Sequence, residues 1–210
     1  GSEMCIRDSR IMIDIVSLGE ILIDFTPNGT NEQGIALFAR NPGGAPANVL
    51  AMNSKLGGSS AFIGKVGNDA FGSYLKHTLS NHNIDITGMA TDSNVPTTLA
   101  FVQLDSKGDR SFSFYRNPGA DMMLNADEVK KELIDECKIF HFGSLSLTDE
   151  PCRKATYDAV NYAKKLGKII SFDPNYRSLL WSDREKAVNE ISRALSLIHI
   201  SEPTRLQLIS

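Results

Sequence analysis

The sequence is poor in cysteine. Its three thiols, Cys5, Cys137 and Cys152, cannot all pair and show no metal-ligand spacing. That argues against a disulfide framework or thiolate metal site and for free structural thiols in a reducing cytoplasm. The four histidines, His77, His82, His141 and His199, also lack a metal-binding spacing. His77 and His82 read as helix-surface residues and His141 as a satisfied strand residue. No apolar run approaches the ~20 residues that span a bilayer. The start, "GSEMCIRDSRIM", lacks the basic, apolar and small-residue order of a signal peptide. A net charge of -3 leaves no basic footprint, so neither membrane nor nucleic acid is an expected partner. Internal repeats and low-complexity linkers are absent. What remains is 210 residues with 41% hydrophobic and 22% charged, a globular balance for one sizeable domain or two small ones.

Strand and helix patterns alternate along the chain. "IDIVSLGEILIDF" (Ile13–Phe25) reads as a buried strand running into a second extended piece, with Gly19-Glu20 inside it. "NPGGAPANVLAMNSKLGG" (Asn41–Gly58) reads as a glycine turn, a helix with Pro46 in its first turn and a glycine stop. "SSAFIGKVG" is strand-like, and the next segment is helical from about Asp69. "TTLAFVQLDSKGDRSFSFYR" (Thr97–Arg116) predicts two strands joined at "DSKGD". "NADEVKKELIDEC" predicts a capped helix and "KIFHFGSLSL" a strand. "EPCRKATYDAVNYAKKLG" predicts a helix closed by Gly167, and "KIISFDPN" a strand ending at Asp173-Pro174. "DREKAVNEISRA" reads as an amphipathic helix. Such alternation predicts an α/β fold with a parallel sheet covered on both faces, and the hairpin-like Thr97–Arg116 stretch breaks it, as a small separate β layer would.

Candidate binding residues gather at the turns. Gly43 and Gly44 let backbone approach a ligand without a Cβ in the way. The helix beyond them offers free N–H groups and a positive dipole end, and Asn48 presents a donor and an acceptor suited to a polyol. Asp24 can accept two hydroxyl protons from a sugar; its plainer reading is a surface acid. Arg116, in "FYRNPGAD", and Arg177, in "FDPNYR", lie near strand ends and turns, where a guanidinium fork binds carboxylate or phosphate, unless each is a structural salt bridge. Asn175 lies just after a strand's carboxyl end, where open α/β sheets place ligands. "GSSAFIGKV" is not a Walker A loop: one residue too many separates Gly58 from Gly64, and Val66 stands where Ser or Thr must hold magnesium. No G-x-G-x-x-G follows the first strand.

From about Ile13 to Ala194 the chain resembles the PfkB, or ribokinase-like, family of sugar kinases, and within it the fructokinases. The segments that carry the resemblance are "GEILIDF", "NPGGAPANVLAMNSKLGGSSAFIGKVGNDAFG", "FSFYRNPGADMML", "KIFHFGSLSL", "EPCR" and "FDPNYR". It implies a three-layer α/β/α domain, Rossmann-like, with a small β-sheet lid from about residues 20–40 and 96–118. Asp24, Gly43, Gly44, Asn48 and Arg116 would surround the sugar. Asn175 and Arg177 would lie where sugar and nucleotide phosphates meet. It further implies ATP as phosphoryl donor, Mg2+ as charge neutraliser, and a parent that pairs as a homodimer through the lid. One departure is large. The family's Gly-Ala-Gly-Asp motif, source of the anion hole and the general base, does not occur in the sequence. "NPGADMM" holds Gly119-Ala120-Asp121 without the second glycine. A fructose-phosphorylating parent is therefore expected, with this chain itself inactive. The alternatives are a 2-keto-3-deoxygluconate kinase, in which Arg116 and Arg177 would grip a carboxylate, and a non-catalytic sugar-binding homologue.

The two ends share a peculiarity at the DNA level. "GSEMCIRDS" (Gly1–Ser9) can be encoded by a string whose reverse complement translates as Leu-Ser-Leu-Ile-His-Ile-Ser-Glu-Pro, which is Leu195 to Pro203. The element resembles a transposase adapter used in sequencing libraries. On this reading residues 1–9 and 195–210 are adapter-like, residues 10–194 are a partial kinase domain, incomplete at its carboxyl end, and Met12 is the native start. Residues after Ala194 should then pack poorly and form no strand, and the chain should be poorly soluble.

Overall fold

A computed structural model describes residues 12–104 and 110–201. Among the described residues ten strands and five α-helices run in the order β1 (Ile13–Leu18), β2 (Leu22–Thr30), β3 (Ala36–Gly43), α1 (Ala45–Lys55), β4 (Ser60–Gly67), α2 (Ala70–Asn81), β5 (Ile84–Asp92), β6 (Leu99–Leu104), β7 (Arg110–Tyr115), α3 (Lys131–Asp135), β8 (Cys137–Gly143), α4 (Cys152–Lys165), β9 (Ile169–Asp173), α5 (Arg184–Leu195) and β10 (Ile200–Ser201). Six strands form one sheet in the order β10-β9-β8-β1-β4-β5, with every pair parallel. The other four form a smaller sheet, β3-β2-β6-β7.

The parallel sheet is covered on both faces, because apolar side chains alternate to each side of fully buried strands. On one face Leu50 of α1 and Leu75 and Leu79 of α2 pack on Phe62 and Val66 of β4. On the other, Leu133 and Ile134 of α3, Ala155 and Val160 of α4 and Ala187 and Ala194 of α5 pack on Val16, Phe140, Phe142 and Phe172. Local signals set the helix ends. Asp69 caps α2 by accepting the Gly72 N–H at 2.7 Å, and Gly167 closes α4 with φ of 71°.

Three expectations need correction. The "NADEVKKELIDEC" segment is helical only over α3. Its amino half is a turn in which the Glu128 carboxylate accepts the Asn125 N–H at 2.8 Å and pairs with Lys65 Nζ at 2.8 Å. His141 is only half satisfied: Nδ1 meets Ser171 Oγ at 3.0 Å, but Nε2 is buried without a partner, and burial lowers its pKa to about 4. Finally, the segment after Ala194 does form a strand. β10 pairs with β9, and His199 Nδ1 accepts the Ile170 N–H at 3.1 Å while its own N–H donates to Ile170 O, which covers an otherwise open strand edge. Residues 1–11, 105–109 and 202–210, which include Cys5, the "DSKGD" turn and most of both adapter-like ends, lie outside the described residues.

Candidate functional site

The site forms where the carboxyl ends of β1, β8 and β9 meet the smaller sheet, the position at which open parallel sheets accept ligands. Alternation along β2 sends Asp24 and Thr26 to one side and Ile23 and Phe25 to the other. Phe25 stacks on Phe101 at 4.8 Å and meets Phe71 of α2 edge-on at 5.8 Å, which fixes the smaller sheet against α2. On the Asp24 side, β3 contributes Asn41, whose Nδ2 donates to Thr26 Oγ1 at 2.9 Å, and then Gly43.

Gly43 and Gly44 are glycines for different reasons. A Cβ on Gly43 would run into Asp24 Oδ2. Gly44 has φ of 119°, and a Cβ there would lie 2.5 Å from the Glu20 carbonyl oxygen. The chain thereby turns directly from β3 into α1, whose Pro46 ring sits against Gly19 and Gly143 at the ends of β1 and β8. Asn48, one turn into α1, is exposed, and its side-chain amide has no protein partner among the described residues. Asp24 is half-buried, and burial raises its carboxyl pKa while the Arg177 guanidinium opposes the shift. The charge of Arg177, an exposed residue after β9, thus reaches Asp24. Asn175 is half-buried beside it; its N–H donates to Asp173 Oδ1 at 3.0 Å and its carbonyl accepts from Ser144 Oγ. These observations bring Asp24, Gly43, Gly44, Asn48, Asn175 and Arg177 to one end of the sheet.

Arg116 is placed differently from the rest. Its Nε and Nη2 reach Asp121 Oδ2 at 2.8 and 2.7 Å, Nη1 donates to Thr148 Oγ1 at 3.0 Å, and Nη2 also donates to Leu145 O at 2.9 Å. Its side chain is 3% exposed. The plainer alternative, a structural ion pair, describes this geometry: the fork is committed to protein acceptors beneath the site. Asp121, also bonded to Thr98 Oγ1, is equally buried and is not a free base. Lys65, the tempting Walker-like lysine, lies within β4 and pairs with Asp92 and Glu128 at 3.2 and 2.8 Å.

Sequence reasoning did not single out Glu20 as functional, although a glutamate inside an apolar run was a signal. It is 2% exposed at the end of β1. Its Oε1 accepts the Ala45 N–H at 3.1 Å, which caps α1, and Oε2 has no hydrogen-bond partner among the described residues. Nor were Asp69 and Thr97 foreseen as a clamp: the Asp69 carboxylate accepts both the N–H and the hydroxyl of Thr97 at 2.8 Å, anchoring the chain just before β6.

Comparison with known proteins adds independent findings. The family described as pfkB family carbohydrate kinase matches residues 12–208. Fructokinase-1 of Zea mays is 49% identical over 179 residues, 84% of this chain and 55% of that protein. Probable fructokinase-7 of Arabidopsis thaliana is 48% identical over 201 residues, 93% of this chain and 58% of that protein. Among solved structures, a fructokinase from Xylella fastidiosa is similar with a TM-score of 0.85 and 35% identity over 90% of this chain and 58% of that one. The same enzyme with bound ATP gives 0.83 and 35%, over 90% and 56%. The chain spans a little over half the length of the curated relatives it matches.

Proposed function

Because the chain belongs to the pfkB family of carbohydrate kinases, we propose that it carries the sugar-binding half of an ATP-dependent kinase that phosphorylates a fructose hydroxyl. One observation supports this most: the Asp24 carboxylate stands over the side-chain-free Gly43, beside an exposed Asn48 at a helix amino end. Asp24 would accept protons from two sugar hydroxyls, and Asn48 would give and take one hydrogen bond each. The glycine turn lets the sugar ring approach the backbone. Arg177 and Asn175 would meet the transferred phosphoryl group, where catalysis rests on positioning and charge stabilisation. Among the described residues no group of three His, Cys, Asp or Glu side chains is placed to hold a metal ion. No described helix is long and apolar enough to cross a membrane, and the buried free thiols Cys137 and Cys152 suit a reducing cytoplasm.

The 2-keto-3-deoxygluconate reading needs two free guanidinium forks, and Arg116 has committed its own to Asp121, Thr148 and Leu145. Titration calorimetry is the test. Fructose is expected to bind the purified chain, with glucose and 2-keto-3-deoxygluconate at least about tenfold weaker. A coupled kinase assay on the same sample is expected to show no turnover, since the chain holds no Gly-Ala-Gly-Asp base. Equal binding of all three sugars would remove the fructose assignment, and turnover would overturn the view that the base is missing.

The outer lid face carries Phe38, 44% exposed, and Tyr115, 65% exposed, both edge-on to Phe101. We propose that a second copy covers this aromatic stripe. Sedimentation equilibrium is expected to show a dimer that Tyr115→Glu converts to monomer. A wild-type chain that stays monomeric at roughly tens of micromolar, in the Kd range of weak assemblies, contradicts it.

A further inference from the structure

We infer that Glu20 is a positioning residue for the sugar-side turn: its carboxylate locks the amino end of α1 to the carboxyl end of β1, and proton exchange on it couples sugar affinity to pH. The coupling to affinity rests on the sugar-binding reading above; the lock itself does not.

The geometry is specific. The Glu20 carbonyl oxygen lies under Gly44, and its side-chain Oε1 accepts the Ala45 N–H. One residue thus touches the turn through both its backbone and its side chain. Oε2 is fully buried with no donor, although the site around it is charged. The Ala45 N–H and the positive end of the 11-residue helix favour the anion. So does Arg116, whereas Asp121 opposes it. From α4, Cys152 faces the same cluster, with burial pushing its thiol up to about 12, so it stays neutral. From β8, His141 also stays neutral, held down by burial. α1 offers no titratable side chain before Lys55. Burial penalises the anion most; it outweighs the Glu20 backbone N–H, Arg116 and the Ala45 N–H, which all favour the anion, and brings the carboxyl to about 7. The group therefore changes charge at neutrality. The anion is the stronger acceptor for Ala45, so deprotonation tightens the turn on which Gly43 and Gly44 meet the sugar.

The first measurement needs no sugar. The amide resonance of Ala45 and the carboxyl carbon of Glu20, followed by NMR on the full chain from about pH 5.5 to 8.5 around the ordinary His range, should titrate together with a midpoint near 7. Glu20→Gln keeps an oxygen acceptor for Ala45, so it should keep the turn but abolish that titration. A flat wild-type profile, or an unchanged Ala45 titration in Glu20→Gln, overturns the inference. The wild-type carboxyl signal alone decides the matter if the variant fails to fold. The second measurement is fructose affinity by calorimetry over the same range. It should strengthen on the order of fivefold as pH rises in the wild type, and stay level in Glu20→Gln. A pH-independent wild-type affinity overturns the coupling. No fructose binding at any pH, with the NMR titration intact, overturns the sugar-binding reading and leaves the lock standing.

Discussion

Replacing Arg116 by methionine is expected to remove about 3–5 kcal/mol of folding stability, the usual effect of stranding one member of a buried ion pair. The partner left behind, Asp121, has a side chain 1% exposed. Without the guanidinium it would keep only the Thr98 hydroxyl as a side-chain donor. The Thr148 hydroxyl and the Leu145 carbonyl would each lose an Arg116 N–H as well. The loss is set against a total of about 5–15 kcal/mol for a typical domain. The damage should centre on the smaller sheet, because Thr98 precedes β6, Arg116 follows β7, and both close on Asp121. Urea denaturation followed by tryptophan fluorescence reads the change as a lower midpoint. The pair of changes Arg116→Met with Asp121→Leu should recover most of the loss, since no unpaired charge then remains buried. Should Arg116→Met unfold at the wild-type midpoint, the ion pair is not what holds the smaller sheet to the larger one.

How much of this was legible in the sequence depends on where each residue's partner lies. α2 and α4 could be read because their punctuation is local: Asp69 caps one, and Gly167 closes the other. β3 was not singled out. Its residues are mostly exposed, and pairing with β2 rather than hydrophobic alternation makes it a strand. The expected helix from Asn125 is instead a turn, and Glu128 within it pairs with Lys65, 63 residues earlier, a partner no local pattern points to. At the candidate site, Gly43 and Gly44 stood out because a turn of two glycines before a proline-started helix has a backbone reason to exist, and Asp24 and Asn48 were candidates by residue type alone. Arg116 did not declare which of its two readings holds. The choice was made by Thr148, 32 residues away, and by Leu145, 29 away, together with Asp121. Glu20 carried a signal, a charge within an apolar run, but its meaning lay in the Ala45 N–H 25 residues on.

Asp24→Ala is expected to weaken fructose binding by about 100-fold or more. Two hydrogen bonds from sugar hydroxyls to a carboxylate contribute about 1.5–3 kcal/mol each, and each 1.4 kcal/mol is about tenfold in affinity. Stability should move the other way. Burial raises the folded pKa of Asp24 above its ordinary value, so the ionised carboxylate opposes folding, and this penalty is present once pH exceeds the folded pKa. Asp24→Ala should therefore melt no lower than the wild type at neutral pH, which separates a binding role from a structural one. Gly43→Ala supplies the complementary test. Its Cβ would occupy the space of Asp24 Oδ2, so affinity should fall although the carboxylate is still present, and here the melting temperature should fall as well. Combining the two changes should give little further loss of affinity beyond Asp24→Ala, because both act through one carboxylate. Calorimetric titration of the three variants with fructose measures the cycle. An Asp24→Ala chain that binds fructose within about threefold of wild type, less than one hydrogen bond's contribution, would show that the sugar sits elsewhere.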